Sequence, residues 1–390
     1  MLFYLGTLVV VVAIGELLGG RERSNTAKIR DVWQALGFRT REGKYPVKIN
    51  KDRSDKHLIY RLQAGQCAEE VFLMQPYLNS YLQAETDVWV DNGEVHIKVM
   101  AEKLPDRVPY EKLIPPEKDE EGNKIILPIP VGMSREGFLW ADLAKLPHIA
   151  VGGETFGGKT TWIIGILSVL ATLPHVRLYI FDMKQVDYSW VEDHSEQALT
   201  LPDAERLFGD IEIEMITRMK KFRNLKVPNL QRYNAIMKAK GEPELPYLVV
   251  VIDELTQLSP ILGKTKQVKE MRTKCTQTLV DLTSLARAIG IHCILSTQRP
   301  DRDTLHPSVK SNLPAAAAFK TKNLSNSRII LDNDKAHLLP RVRGRAIWQW
   351  DKEREIQVMY LDDVKARELL PEVPVTKPKR EEKISFDGSM

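Results

Sequence analysis

From residue 131 to residue 362 the chain alternates short apolar runs with longer amphipathic stretches, and this alternation restricts its architecture more than any other feature. The runs read HIAV (148–151), RLYIFD (177–182), YLVVVIDE (247–254), HCILST (292–297), AAAAF (315–319) and RAIWQW (345–350). Those between 148 and 319 are nearly continuous in apolar character, as strands covered on both faces must be. Helical stretches at 159–172, 203–224 and 265–289 follow most of them. The pattern predicts an α/β domain with a central, mostly parallel sheet over residues 131–365. With 43% hydrophobic residues in 390, a large core can be buried and more than one domain is expected.

The first of these runs leads into an unusual turn. Residues 152–161 read GGETFGGKTT, in which Gly153, Gly158, Lys159 and Thr160 satisfy G-x-x-x-x-G-K-[ST]. Backbone N–H groups in such a loop, with the positive end of the following helix, attract phosphate oxygens. Gly153, Glu154, Thr155, Phe156, Gly157, Gly158, Lys159, Thr160 and Thr161 are therefore the candidate ATP-binding residues. Lys159 is expected to reach the β- and γ-phosphates, and the Thr160 hydroxyl to help hold Mg²⁺. A glycine-rich turn can match by chance, but here a strand precedes it and a helix follows.

Two further strand ends complete a constellation. YLVVVIDE closes on Asp253 and Glu254. An acid at the carboxyl edge of a parallel sheet, beside a phosphate loop, can orient Mg²⁺, and a following glutamate can polarise the attacking water as general base. Asp253 is thus the expected metal partner and Glu254 the expected base. The run LSTQRP (295–300) brings Gln298 to the same edge, where its amide can bond the γ-phosphate or the water.

The first 20 residues, MLFYLGTLVVVVAIGELLGG, carry one charged side chain, Glu16. An apolar run of this length suits a single transmembrane helix. Between Arg21 and Lys56 there are 11 Lys/Arg and 5 Asp/Glu, a basic flank that predicts a cytoplasmic location for everything after Gly20. Residues 21–57 are read as a basic juxtamembrane segment able to touch anionic lipid. Residues 58–130 are read as a small α+β domain plus connector: AEEVFLMQPYLNSYLQAE has helical spacing interrupted by Pro76, and DVWVDNGEVHIKVM is a hairpin turning at Asn92-Gly93. Residues 366–390 are polar and proline-broken, and a disordered tail is expected. The net charge of +4 is too small to argue for nucleic acid on its own, and the scattered Cys67, Cys275 and Cys293 show no metal spacing or disulfide framework.

Taken together, GMSREGFLWADLAKLPHIAVGG, FDMK (181–184), RYN (232–234), VVVIDEL, LARAIGIHCILSTQRP and VKSNLPAAAAFKTKNLSNSRIILD resemble, in the same order, the FtsK/SpoIIIE family of DNA-pumping ATPases. The upstream arrangement of membrane segment and small α/β domain is similar to members carried on bacterial integrative and conjugative elements. The resemblance implies a RecA-like P-loop motor working as a homo-hexameric ring, with double-stranded DNA in the channel and ATP between subunits. It implies an arginine reaching into the neighbour's site; Arg287 in LARAIGIH is the first choice and Arg328 in NSRIILD the reserve. Lys264, Lys266, Arg272, Lys274 and Arg302 are candidates for contact with the DNA backbone.

Two departures shape the expectation. The family's loop usually reads G-x-T-G-S-G-K-[ST], whereas here Phe156 replaces the inner glycine and Gly157 the serine. Because phenylalanine avoids positive φ, either the loop is reshaped with Gly157 in the unusual dihedral or nucleotide binding is weakened; the first is expected, because Lys159, Thr160, Asp253 and Glu254 all remain. The family's C-terminal winged-helix segment is not recognisable, which favours element transfer over chromosome segregation. The expected function is a membrane-anchored ATPase moving DNA in conjugation, with other conjugation proteins as partners. A protein-secretion ATPase and a non-hydrolysing membrane scaffold are the alternatives.

Overall fold

The computed structural model describes residues 24–372 apart from 51–56, 83, 85, 101–103, 111–113, 120, 302 and 303. The expected transmembrane segment therefore lies outside the described residues, as do Arg302 and the tail from residue 373. Among the described residues no helix is long and apolar enough to cross a membrane.

Two compact units are present: one reaches to Pro105 and includes Met133–Phe138, the other comprises Asp106–Gly132 and the chain from Leu139 onward. The smaller unit contains α1 (Asn25–Ala35), β1 (Val47–Lys48), β2 (His57–Arg61), α2 (Ala68–Leu82), β3 (Thr86–Asp91) and β4 (Glu94–Val99). Its sheet has the order β1-β2-β4-β3, all antiparallel. The β3–β4 hairpin turns at Asn92 (φ 50) and Gly93 (φ 78), the two positive dihedrals that a two-residue turn matching strand twist requires. Helix α2 runs through Pro76 unbroken.

The basic segment 21–57 is more than a charged flank. Ile29, Val32 and Trp33 of α1 are buried in one cluster with Leu58, Tyr60 and Leu78, and the Trp33 ring stands edge-on to Tyr60 at 4.6 Å. The helix is amphipathic, so a charge count alone hid its apolar face.

The larger unit is built on a ten-stranded sheet. Its elements are β5 (Val108–Pro109), β6 (Pro128–Ser134), β7 (Gly137–Asp142), β8 (His148–Gly152), α3 (Lys159–Leu170), β9 (Val176–Phe181), β10 (Ser195–Ala198), α4 (Leu201–Leu225), α5 (Leu230–Lys240), β11 (Tyr247–Ile252), α6 (Lys266–Leu285), β12 (Ile291–Thr297), α7 (Pro307–Lys310), β13 (Ala315–Phe319), α8 (Leu324–Leu331), α9 (Lys335–Leu338), β14 (Arg345–Gln349), β15 (Glu353–Gln357), β16 (Met359–Tyr360) and α10 (Asp363–Glu368). The order is β10-β9-β11-β12-β8-β13-β14-β15-β6-β7. From β10 to β13 every pairing is parallel; β14 and β15 add antiparallel strands. All six apolar runs fall on strands of this sheet. The edge strand β10 (SEQA) has no comparable apolar run, and β6, β7 and β15 lie outside the six runs.

Crossovers set the polarity. With β8, β9, β11, β12 and β13 parallel, the loops leaving their carboxyl ends emerge on one edge, where ligands of open α/β sheets bind. Helix α3 is buried along nearly its whole length, consistent with its apolar sequence KTTWIIGILSVL. Helix α4 starts at a capping box in which Thr200 and Asp203 satisfy each other's backbone N–H groups. The segment from 366 is not wholly a tail: α10 covers Asp363–Glu368, Ala366 is fully buried, and the Pro371 carbonyl lies 3.0 Å from His194 Nε2. Leu369 and Leu370, half-buried, pack against the same core as Ala366 and help seat it.

Candidate active site

Strand β8 runs straight into the glycine-rich loop. Gly153 (φ 146) has no room for a side chain, since a Cβ there would stand 2.6 Å from the Phe319 Cβ. Gly158 (φ 111) begins α3, and a Cβ on it would meet the backbone of Gly344 at 2.8 Å. The loop is pinned on both sides: Glu154 N–H donates to the Lys320 carbonyl (2.9 Å) and Gly344 N–H to the Gly157 carbonyl (2.8 Å). The expectation for Phe156 was wrong in detail. Phe156 itself takes the left-handed dihedral, φ 65, and Gly157 does not. Its ring points out, 83% exposed, so it does not fill the cradle. The two pinned flanks fix the backbone path, and with the ring in solvent the residue's strain is local.

Lys159 is 6% exposed, and its ammonium donates to the carbonyls of Gly153 and Glu154, the latter at 2.8 Å. Burial pushes its pKa down to about 8, against the pull of Glu254 and Asp253. A cavity of 520 Å³ opens over this helix start, lined by Lys159, Thr160, Lys184, Asp253 and Gln298 among others. Phe156, Thr155, Gly157, Gly158 and Thr161 reach its wall as well.

Tertiary structure places β12 between β8 and β11, with Gly152 beside Thr297 and Ile252 beside Leu295. The end of β12 therefore lies between the loop and the acidic pair. Thr297 Oγ1 donates to Glu254 Oε1 (2.9 Å), and the Gln298 N–H donates to Glu254 Oε2 (3.0 Å). Thr256 adds two more bonds to Oε1, from N–H (3.2 Å) and Oγ1 (2.7 Å). Glu254 is thus locked in orientation, and Oε2 keeps a lone pair for a water. On the other side the Thr155 hydroxyl donates to the Gln298 side-chain oxygen (2.8 Å), bridging loop and strand end.

Asp253 is 5% exposed and held by two donors: Lys184 Nζ at 2.6 Å on Oδ2 and the Tyr188 hydroxyl at 3.1 Å on Oδ1. The role of Lys184 was not legible beforehand, although FDMK carried it. Thr160 and Asp253 put one hydroxyl and one carboxylate on the same cavity, hard oxygen donors that fit an Mg²⁺ sharing its remaining positions with phosphate and water. Among the described residues no group of three or more His, Cys, Asp or Glu is placed to hold a metal ion. A second cavity of 290 Å³ shares Gly158, Thr161, Arg343 and Tyr360 with the first, and Arg107 lies 4.5 Å over the Tyr360 ring.

The remaining candidates lie elsewhere. Arg287 is exposed near the start of the strands, where its charge bears on His148 and His292, so it does not reach this chain's own loop. Arg328 is paired with Asp334 through two bonds of 2.6 and 3.0 Å. Lys264 and Lys266 are exposed, and Lys274 is bound to Glu205 at 2.8 Å. Arg272, half-buried, turns toward the Gln257 and Ser259 carbonyls.

Residues 111–302, spanning the loop, the acidic pair and the Gln298 strand, match the model of the FtsK/SpoIIIE family. The chain belongs to the FtsK/SpoIIIE family. Among FtsK/SpoIIIE relatives, DNA translocase FtsK of Lactiplantibacillus plantarum is 30% identical over 281 residues, 68% of this chain and 34% of that protein. The chain thus spans about a third of the length of such curated relatives. The solved structure of the pCW3 conjugation coupling protein TcpA, in its monomer form with ATPγS, matches with a TM-score of 0.63 at 26% identity, covering 89% of this chain and 98% of that one. The cytoplasmic domain of the Thermomonospora curvata type VII secretion ATPase EccC shares the fold, with a TM-score of 0.53 at 20% identity over 70% of this chain and 33% of that one.

Proposed function

We propose that this chain is an ATPase that hydrolyses ATP at the described cleft and couples hydrolysis to DNA movement in conjugative transfer. The observation that carries the chemistry is the convergence of Lys159, Thr160, Asp253 and Gln298 on one cavity, with the adjacent Glu254 held by Thr297 and by the Gln298 N–H. The loop N–H groups and Lys159 hold the β- and γ-phosphates. Thr160 and Asp253 would hold a Mg²⁺, which would supply charge neutralisation at the phosphate oxygens. Glu254 Oε2 orients the attacking water and accepts its proton, while the Gln298 amide, released from Thr155, bonds the water or the γ-phosphate. In a homo-hexameric ring, Arg287 of the neighbouring subunit would face the γ-phosphate and stabilise charge in the transition state.

Movement of DNA rests on family membership and on the likeness to TcpA over nearly all of that chain. Turnover measured with duplex DNA, single-stranded DNA and no DNA tests it. Acceleration by duplex supports the reading. Turnover indifferent to DNA but raised by a secreted protein substrate would transfer the chain to secretion, the alternative that the EccC fold leaves open. No turnover at all would leave a membrane scaffold. Anchoring in the bacterial cell membrane through residues 1–20, with the motor in the cytoplasm, is part of the same proposal. Deleting those residues is expected to move the chain to the soluble fraction, and retention in membranes would refute the anchor.

A further inference from the structure

After β9 the chain folds into a tight turn around Asp182. This carboxylate, 1% exposed, accepts the backbone N–H groups of Lys184, Gln185, Val186 and Asp187 at 3.1 to 3.2 Å. Gln185 takes φ 60 inside it. Four bonds to one side chain fix the path of the turn, and with it the base of Lys184. The lysine then reaches across to Asp253, the carboxylate placed for the metal, and its ammonium lines the cavity shared by Lys159 and Thr160. The Lys184 charge disfavours that of Lys159, while Asp253 favours the charge on Lys184 itself. Tyr188, fully buried, holds the opposite oxygen of the same carboxylate.

The arrangement gives Lys184 a partner that the proposed reaction would claim for another cation. A divalent ion beside Asp253 repels an ammonium 2.6 Å from the same carboxylate, because like charges at such distances in a partly desolvated cleft interact strongly. The ammonium then needs a different anion. A nucleoside triphosphate brings one into this cavity, its terminal phosphate, and a diphosphate does not. We infer that Lys184 is a triphosphate-reading residue: it rests on Asp253 when no γ-phosphate is present and transfers to a γ-phosphate oxygen when ATP is bound. This inference rests on the nucleotide reading of the site. The stem of Lys184 is anchored by the Asp182 turn, and its side chain is about one-third exposed, so the ammonium has room to swing while the backbone stays.

Equilibrium binding separates this role from a purely structural ion pair. Mg²⁺ complexes of ATPγS and ADP are titrated by calorimetry into the full chain, in wild type, Lys184→Met, Lys184→Arg and Tyr188→Phe. Loss of a charge-assisted bond to the terminal phosphate is expected to weaken ATPγS in Lys184→Met by about tenfold or more. ADP affinity in the same variant should not fall, since a diphosphate offers Lys184 no terminal oxygen and its charge beside Asp253 only opposes the ion. Lys184→Arg keeps the cation and should keep the preference for ATPγS; Tyr188→Phe removes only a neutral bond to Asp253 and should leave the ratio unchanged. Equal weakening of both nucleotides in Lys184→Met, or no change in either, overturns the inference. If Lys184→Met does not fold, Lys184→Gln, which can still donate to Asp253, carries the same expectation of a lost ratio. Wild-type protein that binds neither nucleotide would overturn the nucleotide reading itself, a result distinct from an unchanged ratio.

Discussion

Acid is expected to unfold the large unit by a route that can be assigned to two residues. His148 opens β8, and His292 lies near the start of β12; each is 1% exposed. His148 Nδ1 accepts the Cys293 N–H at 3.2 Å, and the Tyr247 ring stacks on His292 at 5.8 Å. Burial pushes their pKa values down to about 4 for His148 and about 3 for His292. Arg287 acts in the same direction on both, and His148 and Arg218 do so on His292, opposed there by a hydrogen bond with the Pro147 backbone. In the unfolded chain both would titrate near 6.5. Between that value and the folded values the unfolded state binds more protons, so stability falls as pH falls. At pH 5 each unfolded histidine is almost fully protonated while its folded counterpart is neutral, which costs about 2 kcal/mol per residue and about 4 kcal/mol for the pair. Against a total stability of about 5–15 kcal/mol this is a large share. Urea unfolding followed by tryptophan fluorescence at pH 7.5, 6 and 5, at constant ionic strength, measures it. His292→Phe keeps a ring against Tyr247 and removes one proton site. The variant is expected to lose about 2 kcal/mol less than wild type between pH 7.5 and pH 5. Identical pH dependence in the two proteins would refute the assignment.

Other predictions concern the cleft. Lys159→Ala should abolish turnover, whereas Glu254→Gln should cut it by roughly a hundredfold or more while ATPγS affinity stays within about threefold, because the base is needed for the water and not for the phosphates. Equal loss of binding in both variants would show that Glu254 is a structural strut. Gly158→Ala forces a Cβ against Gly344 at φ 111 and should remove nucleotide binding through displacement of the loop, read as loss of the ATPγS titration signal with the fold intact by circular dichroism. Phe156→Gly should leave nucleotide affinity and melting temperature unchanged or slightly improved, since left-handed strain of about 1–2 kcal/mol is relieved and an exposed ring loses little packing. A clear drop in affinity would place that ring in the binding site.

Local pattern carried much of this protein. The apolar runs located the strands because buried parallel strands need side chains that avoid water on both faces, and this requirement is written residue by residue. G-x-x-x-x-G-K-T at 153–160 and the Asp253-Glu254 strand end were legible for the same reason: backbone conformation and helix polarity are properties of neighbours in sequence. The charge count over residues 21–57, by contrast, concealed α1, whose Trp33 and Val32 face a core only when the helix is wound.

What the chain could not announce were the meetings between distant segments. That β12 inserts between β8 and β11, so that Thr297 and Gln298 clamp Glu254, depends on strand order, which is set by crossover packing over more than a hundred residues. That Lys184 rests on Asp253, that Gly344 closes the loop on Gly157, and that Phe156 rather than Gly157 takes the strained dihedral follow from the same source. A sequence fixes which groups exist and the periodicity with which they face a core; only the packed tertiary structure fixes which of them share a cavity, because that choice is made by contacts between residues that have no local preference for each other.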